Sequence, residues 1–274
     1  MARRKKRKAP SGSSRSGGGL RLLLSFFSVV VIAGCILAAT ILFFQIKTVE
    51  VVGETRYTDG QIIEAAGIEL GQNMFLYNKF SSIDGLLEGC PYLDRIVVRR
   101  RLPDTIQIHV TEATPVCSIS FDEVVKARNQ YGEIIDWQMP TTWFLLDINK
   151  KILEEVDEVT AAGYPDLLGV ELSKPKVGKT AVFSDEQKGK QAFTLLNTAK
   201  NNDILKNIQW VDVSRSYALK LQYTDRFQVN FGTIDDLDRK CRFMLVIAEK
   251  VDGSATGTID VSDTTTARFI KELN

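Results

Sequence analysis

Residues 91–112, PYLDRIVVRRRLPDTIQIHVTE, read as a β-hairpin. Ile96 and Val98 alternate before the turn, and Ile106, Ile108 and Val110 alternate after it, the period-2 spacing that places every second side chain on one face of a strand. Immediately upstream, Lys79 to Gly89 carries Ile83, Leu86 and Leu87 at helical spacing, and Pro91 ends that helix. Before it, Thr58-Asp59-Gly60-Gln61 supplies a capping box for a helix through Ala66, which Gly67 stops; residues 68–73 form a loop. Ile46, Val49, Val51 and Val52 predict an opening strand ending at Gly53. The element order over residues 46–115 is therefore β-α-α-β-β.

Further toward the N-terminus the composition changes abruptly. Residues 22–44 are 23 positions without a charge, 15 of them Leu, Ile, Val or Phe. About 20 apolar residues suffice to cross a hydrocarbon core about 30 Å thick. The preceding tail, residues 1–21, holds eight Lys and Arg and no acid, which predicts a single transmembrane helix with its N-terminus in the cytoplasm. A cleaved signal has a shorter apolar core, of about 7–15 residues. The Ile32-Ala33-Gly34-Cys35 stretch is similar to a lipoprotein processing box, but the apolar run continues through Phe44 where a polar tether is expected. The tail, rich in Ser and Gly from Ser11 to Gly19, reads as disordered; its charges either set topology alone or also lie against anionic headgroups.

Eight of the 35 basic residues precede the span, leaving 27 against 34 acidic ones outside, a balance that disfavours nucleic acid as a partner. Three cysteines remain there, Cys90, Cys117 and Cys241, an odd number without a disulfide framework. Cys241 falls on the apolar face of a predicted helix and reads as a small buried hydrophobe. A pairing of Cys90 with Cys117 stays open.

Beyond Val116 the pattern predicts a mixed β-sheet domain, residues 116–274, with two helices. Ser184 and Gln187 read as the capping box of a helix through about Lys200, with Phe193, Leu196 and Ala199 inward. A strand at Gln209 to Ser214 follows. Tyr217, Leu219, Leu221 and Tyr223 alternate, as do Phe227, Val229 and Phe231, with Thr224-Asp225 as the tight turn between. Leu237, Cys241, Met244, Leu245 and Ala248 form the stripe of an amphipathic helix. The fold class is α+β: cytoplasmic tail 1–21, transmembrane helix 22–44, a first domain 46–115 and a distal domain 116–274.

The first domain resembles the POTRA domain of the FtsQ/DivIB family of bacterial cell-division proteins. The residues carrying the likeness are the strand Ile46 to Gly53, the glycine loop Gly67 to Asn73, Pro91-Tyr92-Leu93, the turn Arg101-Leu102-Pro103-Asp104-Thr105, and Glu112-Ala-Thr-Pro-Val116. Ala113 departs from the basic residue common there. In the distal domain, Trp143-Phe144-Leu145-Leu146-Asp147 is similar to a family strand before a turn, although Asn149-Lys150 replaces the expected Gly. Gly257-Thr258-Ile259-Asp260-Val261 resembles the penultimate strand, and Thr266 to Lys271 stands where the last one belongs.

The resemblance implies a non-enzymatic divisome scaffold at the septum of the bacterial plasma membrane. Its partners would be FtsB/DivIC-like and FtsL-like bitopic proteins, which connect it to the septal peptidoglycan synthase; membrane lipid would contact residues 22–44. A last strand left at the sheet edge offers unpaired N–H and C=O groups to a partner peptide. The expected contact residues are Thr266, Ala267, Arg268, Phe269 and Ile270, with Ala267 and Phe269 setting specificity and Arg268 meeting an acid; the competing reading packs Phe269 into the core.

Enzymatic readings find little to stand on. The single histidine, His109, lies on the strand face opposite Ile106, Ile108 and Val110 with no nucleophile nearby in sequence. One His and scattered Cys make no zinc cluster, and no cofactor is implied. Gly178-Lys179-Thr180 ends like a phosphate loop, but Ser173 stands where that loop needs its first Gly. The acidic run Glu154, Glu155, Asp157 and Glu158 reads as a solvated face rather than the paired carboxylates of a membrane-anchored cell-wall hydrolase. A transport-type POTRA module that chaperones extended chains would bring repeated POTRA units or a membrane barrel, neither of which the sequence carries.

Overall fold

The computed structural model describes residues 18–123, 125–128 and 134–272. The basic tail therefore lies outside the described residues for all but its last positions. The chain begins with helix α1, Gly18–Phe43, whose stretch Leu23–Phe43 is long and apolar enough to cross a membrane. Cys35, the residue of the lipoprotein-like box, sits within this helix.

The β-α-α-β-β order follows: β1 Thr48–Val52, α2 Asp59–Ala65, α3 Lys79–Gly89, β2 Leu93–Arg101 and β3 Thr105–Glu112, with sheet order β1-β3-β2. The first strand is shorter than Ile46 to Gly53 suggests, because Ile46 pairs instead with the 71–72 loop: its N–H donates to Gln72 O at 2.9 Å and its carbonyl accepts from Gly71 N at 2.8 Å. The Thr58/Gln61 capping box forms as the sequence predicts. Gly67 takes φ 61°, the left-handed conformation that ends a helix cheaply only at glycine. Ile106, Ile108 and Val110 are all buried.

The distal part is built on β4 Pro115–Asp122, β7 Thr141–Asp147, β8 Ile152–Val156, β9 Asp166–Leu168, β10 Ile208–Asp212, β11 Leu219–Tyr223, β12 Phe227–Gly232, β13 Gly257–Asp260 and β14 Arg268–Lys271. A separate hairpin, β5 Val125–Arg128 with β6 Ile134–Gln138, interrupts them. The nine strands lie in the order β14-β13-β12-β11-β10-β9-β4-β7-β8. Most neighbours are antiparallel, but β9 runs parallel to both β4 and β10, and β13 parallel to β12. Helices α5, Glu186–Asn201, and α6, Leu237–Lys250, cover one face. A single-turn helix α4, Glu158–Ala161, and a 3-10 turn, Leu205–Asn207, add to the two helices read from the sequence.

Register makes the core legible as a cross-strand row. Leu167, Val211, Leu221, Val229, Ile259 and Phe269 are successive partners from β9 to β14, and all belong to the core under the helices. The adjacent row, Asp166, Trp210, Gln222, Gln228, Thr258 and Ile270, lies on the other face, as period-2 alternation requires.

Local corrections have simple causes. The cap of α5 is Asp185, not Ser184: its carboxylate accepts from Gln187 N and Lys188 N, while Ser184 N is committed to Glu171 O. Three residues, Thr224 to Arg226, join β11 to β12, with Thr224 at φ 54°, since Tyr223 pairs directly with Phe227. The strand expected at Gln209 to Ser214 begins one residue earlier and ends at Asp212.

In the turn after β7, where the resemblance implies a glycine, Lys150 itself adopts φ 66°. A left-handed non-glycine residue costs about 1–2 kcal/mol, against about 0.5–1 kcal/mol for the extra freedom of glycine in the unfolded chain. Lys150→Gly is expected to raise the thermal unfolding midpoint, by up to about 1 kcal/mol of stability.

The described chain divides into two compact units. One holds α1 and the start of β1 through Glu50, with Glu69–Tyr77 and Arg99–Gln107; the other holds Val51–Ile68, Asn78–Val98 and everything from Ile108 onward. Within the second, residues of α3 and β2 are tied to the β8 region. Lys151 Nζ donates to Leu93 O at 3.0 Å, Tyr92 Oη donates to Glu154 at 2.7 Å, and Leu153 is buried with Tyr92 and Ala113. Arg56 bonds Glu112 at 2.7 Å and stacks over the Tyr92 ring at 3.3 Å. Gly178 approaches the Leu87 carbonyl so closely that a Cβ there would lie 2.9 Å from it, and Lys179 pairs with Glu88. The phosphate-loop-like tripeptide is thus a structural brace.

Candidate functional site

Strand β14 closes one end of the nine-stranded sheet, and no described strand pairs with its outer side. Its inner side is paired antiparallel with β13, Gly257 opposite Lys271 and Asp260 opposite Arg268. Glu272 N donates to Thr256 O at 3.1 Å, which fixes the phase of the ladder. In an antiparallel pair, hydrogen-bonded and non-hydrogen-bonded positions alternate. Arg268 and Ile270 therefore turn their backbone groups toward β13, while Phe269 and Lys271 turn theirs to the free edge.

The side chains sort the opposite way. Phe269 and Ala267 are half-buried against the core, and the Phe269 ring meets Phe227 edge-on at 5.9 Å. Thr266, Arg268 and Ile270 are exposed. The five residues named from the sequence do come together on and beside one strand, but Ala267 and Phe269 are turned inward, as the core-packing alternative has it. Only Thr266, Arg268 and Ile270 offer side chains to solvent.

Several contacts hold the strand in place. A Cβ built on Gly257 would lie 2.2 Å from Ile270 O, so only glycine admits this approach of β14. Arg226 donates through Nε to Ala255 O at 3.1 Å, bonds Asp252 O, and covers the Phe227 ring at 4.5 Å, fixing the loop that enters β13. At the other end Asp263 accepts from Thr265 N, Thr265 Oγ1 and Thr266 Oγ1; these hydrogen bonds hold its carboxyl below the usual carboxylate range. Asp260, Ser262, Asp263, Thr266 and Arg268 line a polar hollow of 150 Å³ beside the edge. The contributions of Phe227 and Gly257 were not apparent in the sequence; Gly257, at the head of an alternating strand, was the available signal for a close backbone approach.

The residues weighed for chemistry are dispersed. His109 is half-buried on β3, and among the described residues no three His, Cys, Asp or Glu side chains gather into a metal-binding group. Asp157 caps α4 by accepting from Thr160 N, and Glu154 accepts from Tyr92. Cys90, Cys117 and Cys241 are free and buried, so the Cys90–Cys117 pairing is not formed.

The described chain joins an apolar N-terminal helix, long enough to cross a membrane, to a β-α-α-β-β domain and an edge-ended mixed sheet. Residues 44–113 match the profile described as "POTRA domain, FtsQ-type". The chain is 28% identical over 235 residues to the cell division protein DivIB of Clostridium acetobutylicum, covering 83% of this chain and 84% of that one. It is 23% identical to DivIB of Clostridium botulinum, strain Hall, over 82% of this chain and 81% of the relative. It is also 23% identical to the cell division protein FtsQ of Corynebacterium glutamicum, over 78% and 83%. Over most of its length, then, the chain is similar to cell-division proteins named DivIB and FtsQ.

Proposed function

We propose that this chain is a non-catalytic divisome scaffold that captures a bitopic partner by strand addition to β14. The partners are FtsB/DivIC-like and FtsL-like proteins, through which it is linked to septal peptidoglycan synthesis. Leu23–Phe43 anchors it across the plasma membrane, with the basic tail in the cytoplasm and both folded regions outside; the eight basic residues before the span support that orientation. The observation that carries the reading is the outer side of β14, where Phe269 and Lys271 present backbone donors and acceptors with the strand itself held firmly from behind. An added peptide would gain main-chain hydrogen bonds along this edge, and Arg268 and Ile270 would read its side chains.

Proline at position 271 removes one outward N–H without touching the ladder to β13, and edge strands accept its fixed φ. Pull-down from membranes is expected to recover the small bitopic division proteins with the intact chain and with Lys271→Ala, and to lose them with Lys271→Pro and with truncation after Val261. Circular dichroism should show Lys271→Pro still folded. Undiminished capture by Lys271→Pro would move the docking site away from this edge.

A further inference from the structure

Helix α1 does not end free. The side-chain amide of Asn73 donates to the carbonyls of Thr40 and Ile41, 3.2 Å each; Thr40 O also accepts from Phe44 N, while Ile41 belongs to the last turn, whose carbonyls a helix leaves open. Met74 N donates to Phe44 O at 2.8 Å, and the rings of Phe44 and Phe75 meet edge-on at 5.1 Å. The same Asn73, through Oδ1, accepts from Phe75 N at 2.9 Å and Leu76 N at 3.2 Å. Arg100 then ties the far side of the loop, donating to Met74 O at 2.8 Å and Tyr77 O at 3.0 Å. All these residues fall in one compact unit.

Depth follows from length. The 21 residues of Leu23–Phe43 rise about 31 Å at 1.5 Å each, which matches a hydrocarbon core of about 30 Å. Thr40 and Ile41 lie about 3–5 Å before the helix end on the same rise. A loop bonded to those two carbonyls shares their depth, at the outer boundary of the acyl chains. There the loop carries Phe75, 50% exposed, and Leu76, 78% exposed; Leu70 at 67% and Leu102 at 59% lie in the same unit. Grouped large apolar side chains without protein cover mark a site of interaction with a partner or a membrane.

We propose that the loop around Asn73 is a membrane foot: Phe75 and Leu76 enter the outer leaflet of the bilayer next to the helix. The partner is the lipid surface itself, and the helix that crosses it is continuous with the foot through Asn73. Lys47, its side chain 69% exposed three residues beyond Phe44, suits the anionic headgroup layer. This inference rests on the reading of Leu23–Phe43 as a membrane span.

The test uses the full chain with Cys35→Ala, whose remaining thiols are buried, reconstituted in phosphatidylcholine–phosphatidylglycerol vesicles. One variant carries an environment-sensitive fluorophore at Leu76→Cys and another at Leu37→Cys. With lipids brominated near the headgroup end of the acyl chain, the label at 76 is expected to emit blue-shifted light and lose most of its fluorescence. The label at 37 should be quenched most by bromines deep in the chain. A label at 76 that emits as in water and is unquenched, beside a quenched label at 37, overturns the foot and leaves the span intact. An unquenched label at 37 removes the span, and the foot with it.

Discussion

Phe227→Ala is expected to cost about 3–5 kcal/mol, the range for deleting a fully buried aromatic ring. Phe227 is buried at the start of β12, opposite both Tyr223 and Gly257, and its ring is the surface on which Phe269 rests. Truncation leaves a cavity under the outermost strand, which has only four residues in regular pairing to hold it. Two readouts should therefore separate. Chemical denaturation of the detergent-solubilised chain should show the loss of stability, and hydrogen exchange should show earlier opening of β14 than of β10 or β11. Phe227→Leu keeps most of the volume and should cost less than about 1.5 kcal/mol. A variant that unfolds at the wild-type midpoint would mean that the Phe227–Phe269 contact holds nothing together.

The second large effect is expected at Lys240. It lies on α6 three residues after Leu237 and four before Met244, on the buried face of the helix, and is 0% exposed. Its ammonium donates to Phe231 O and Thr233 O, 2.9 Å each, where β12 runs out into the turn. Burial lowers its pKa from the ordinary lysine value, and Asp235 and Asp236 work against that shift. Lys240→Ala removes the packed stem and leaves the buried Phe231 carbonyl without this donor, a loss of about 1–3 kcal/mol, while the carbonyl of the exposed Thr233 turns to water. Lys240→Met keeps the stem and should recover part of the loss. The pH dependence has a definite sign. A lysine whose folded pKa lies below its unfolded one binds fewer protons when folded, so its contribution to stability rises with pH up to the ordinary lysine value. The stability difference between wild type and Lys240→Ala should therefore widen as alkaline pH is approached in denaturation experiments.

The first domain was largely readable because its signals are local. Thr58 and Gln61 cap one helix within four residues, Lys79 to Gly89 delimits another, and Pro91 separates it from a hairpin with strict alternation. Side-chain spacing alone sufficed for these. The distal sheet depends on pairings between distant segments. Nothing near Asp166 announces that β9 will lie parallel between β4 and β10, nor does β13 announce its parallel partner β12. The orientation of Phe269 belongs to the same class of information: it is settled by the register that places Ile259 opposite it. Alternation within residues 266–270 separates Ala267 and Phe269 from Arg268 and Ile270 but does not say which pair faces the core. Adjacent competitors also mislead, as at Ser184, where the stronger acceptor Asp185 one position later takes the helix cap.

Burial has a chemical corollary for the thiols of Cys90, Cys117 and Cys241. Removal from water pushes each of them up, Cys241 to about 12, and a thiol must ionise before it can attack a disulfide or an alkylating reagent. Near neutrality these sulfurs are insulated from oxidants, and the architecture needs no crosslink. Once folded, the chain is expected to react slowly at these three positions with alkylating reagents, in a reducing or an oxidising milieu alike.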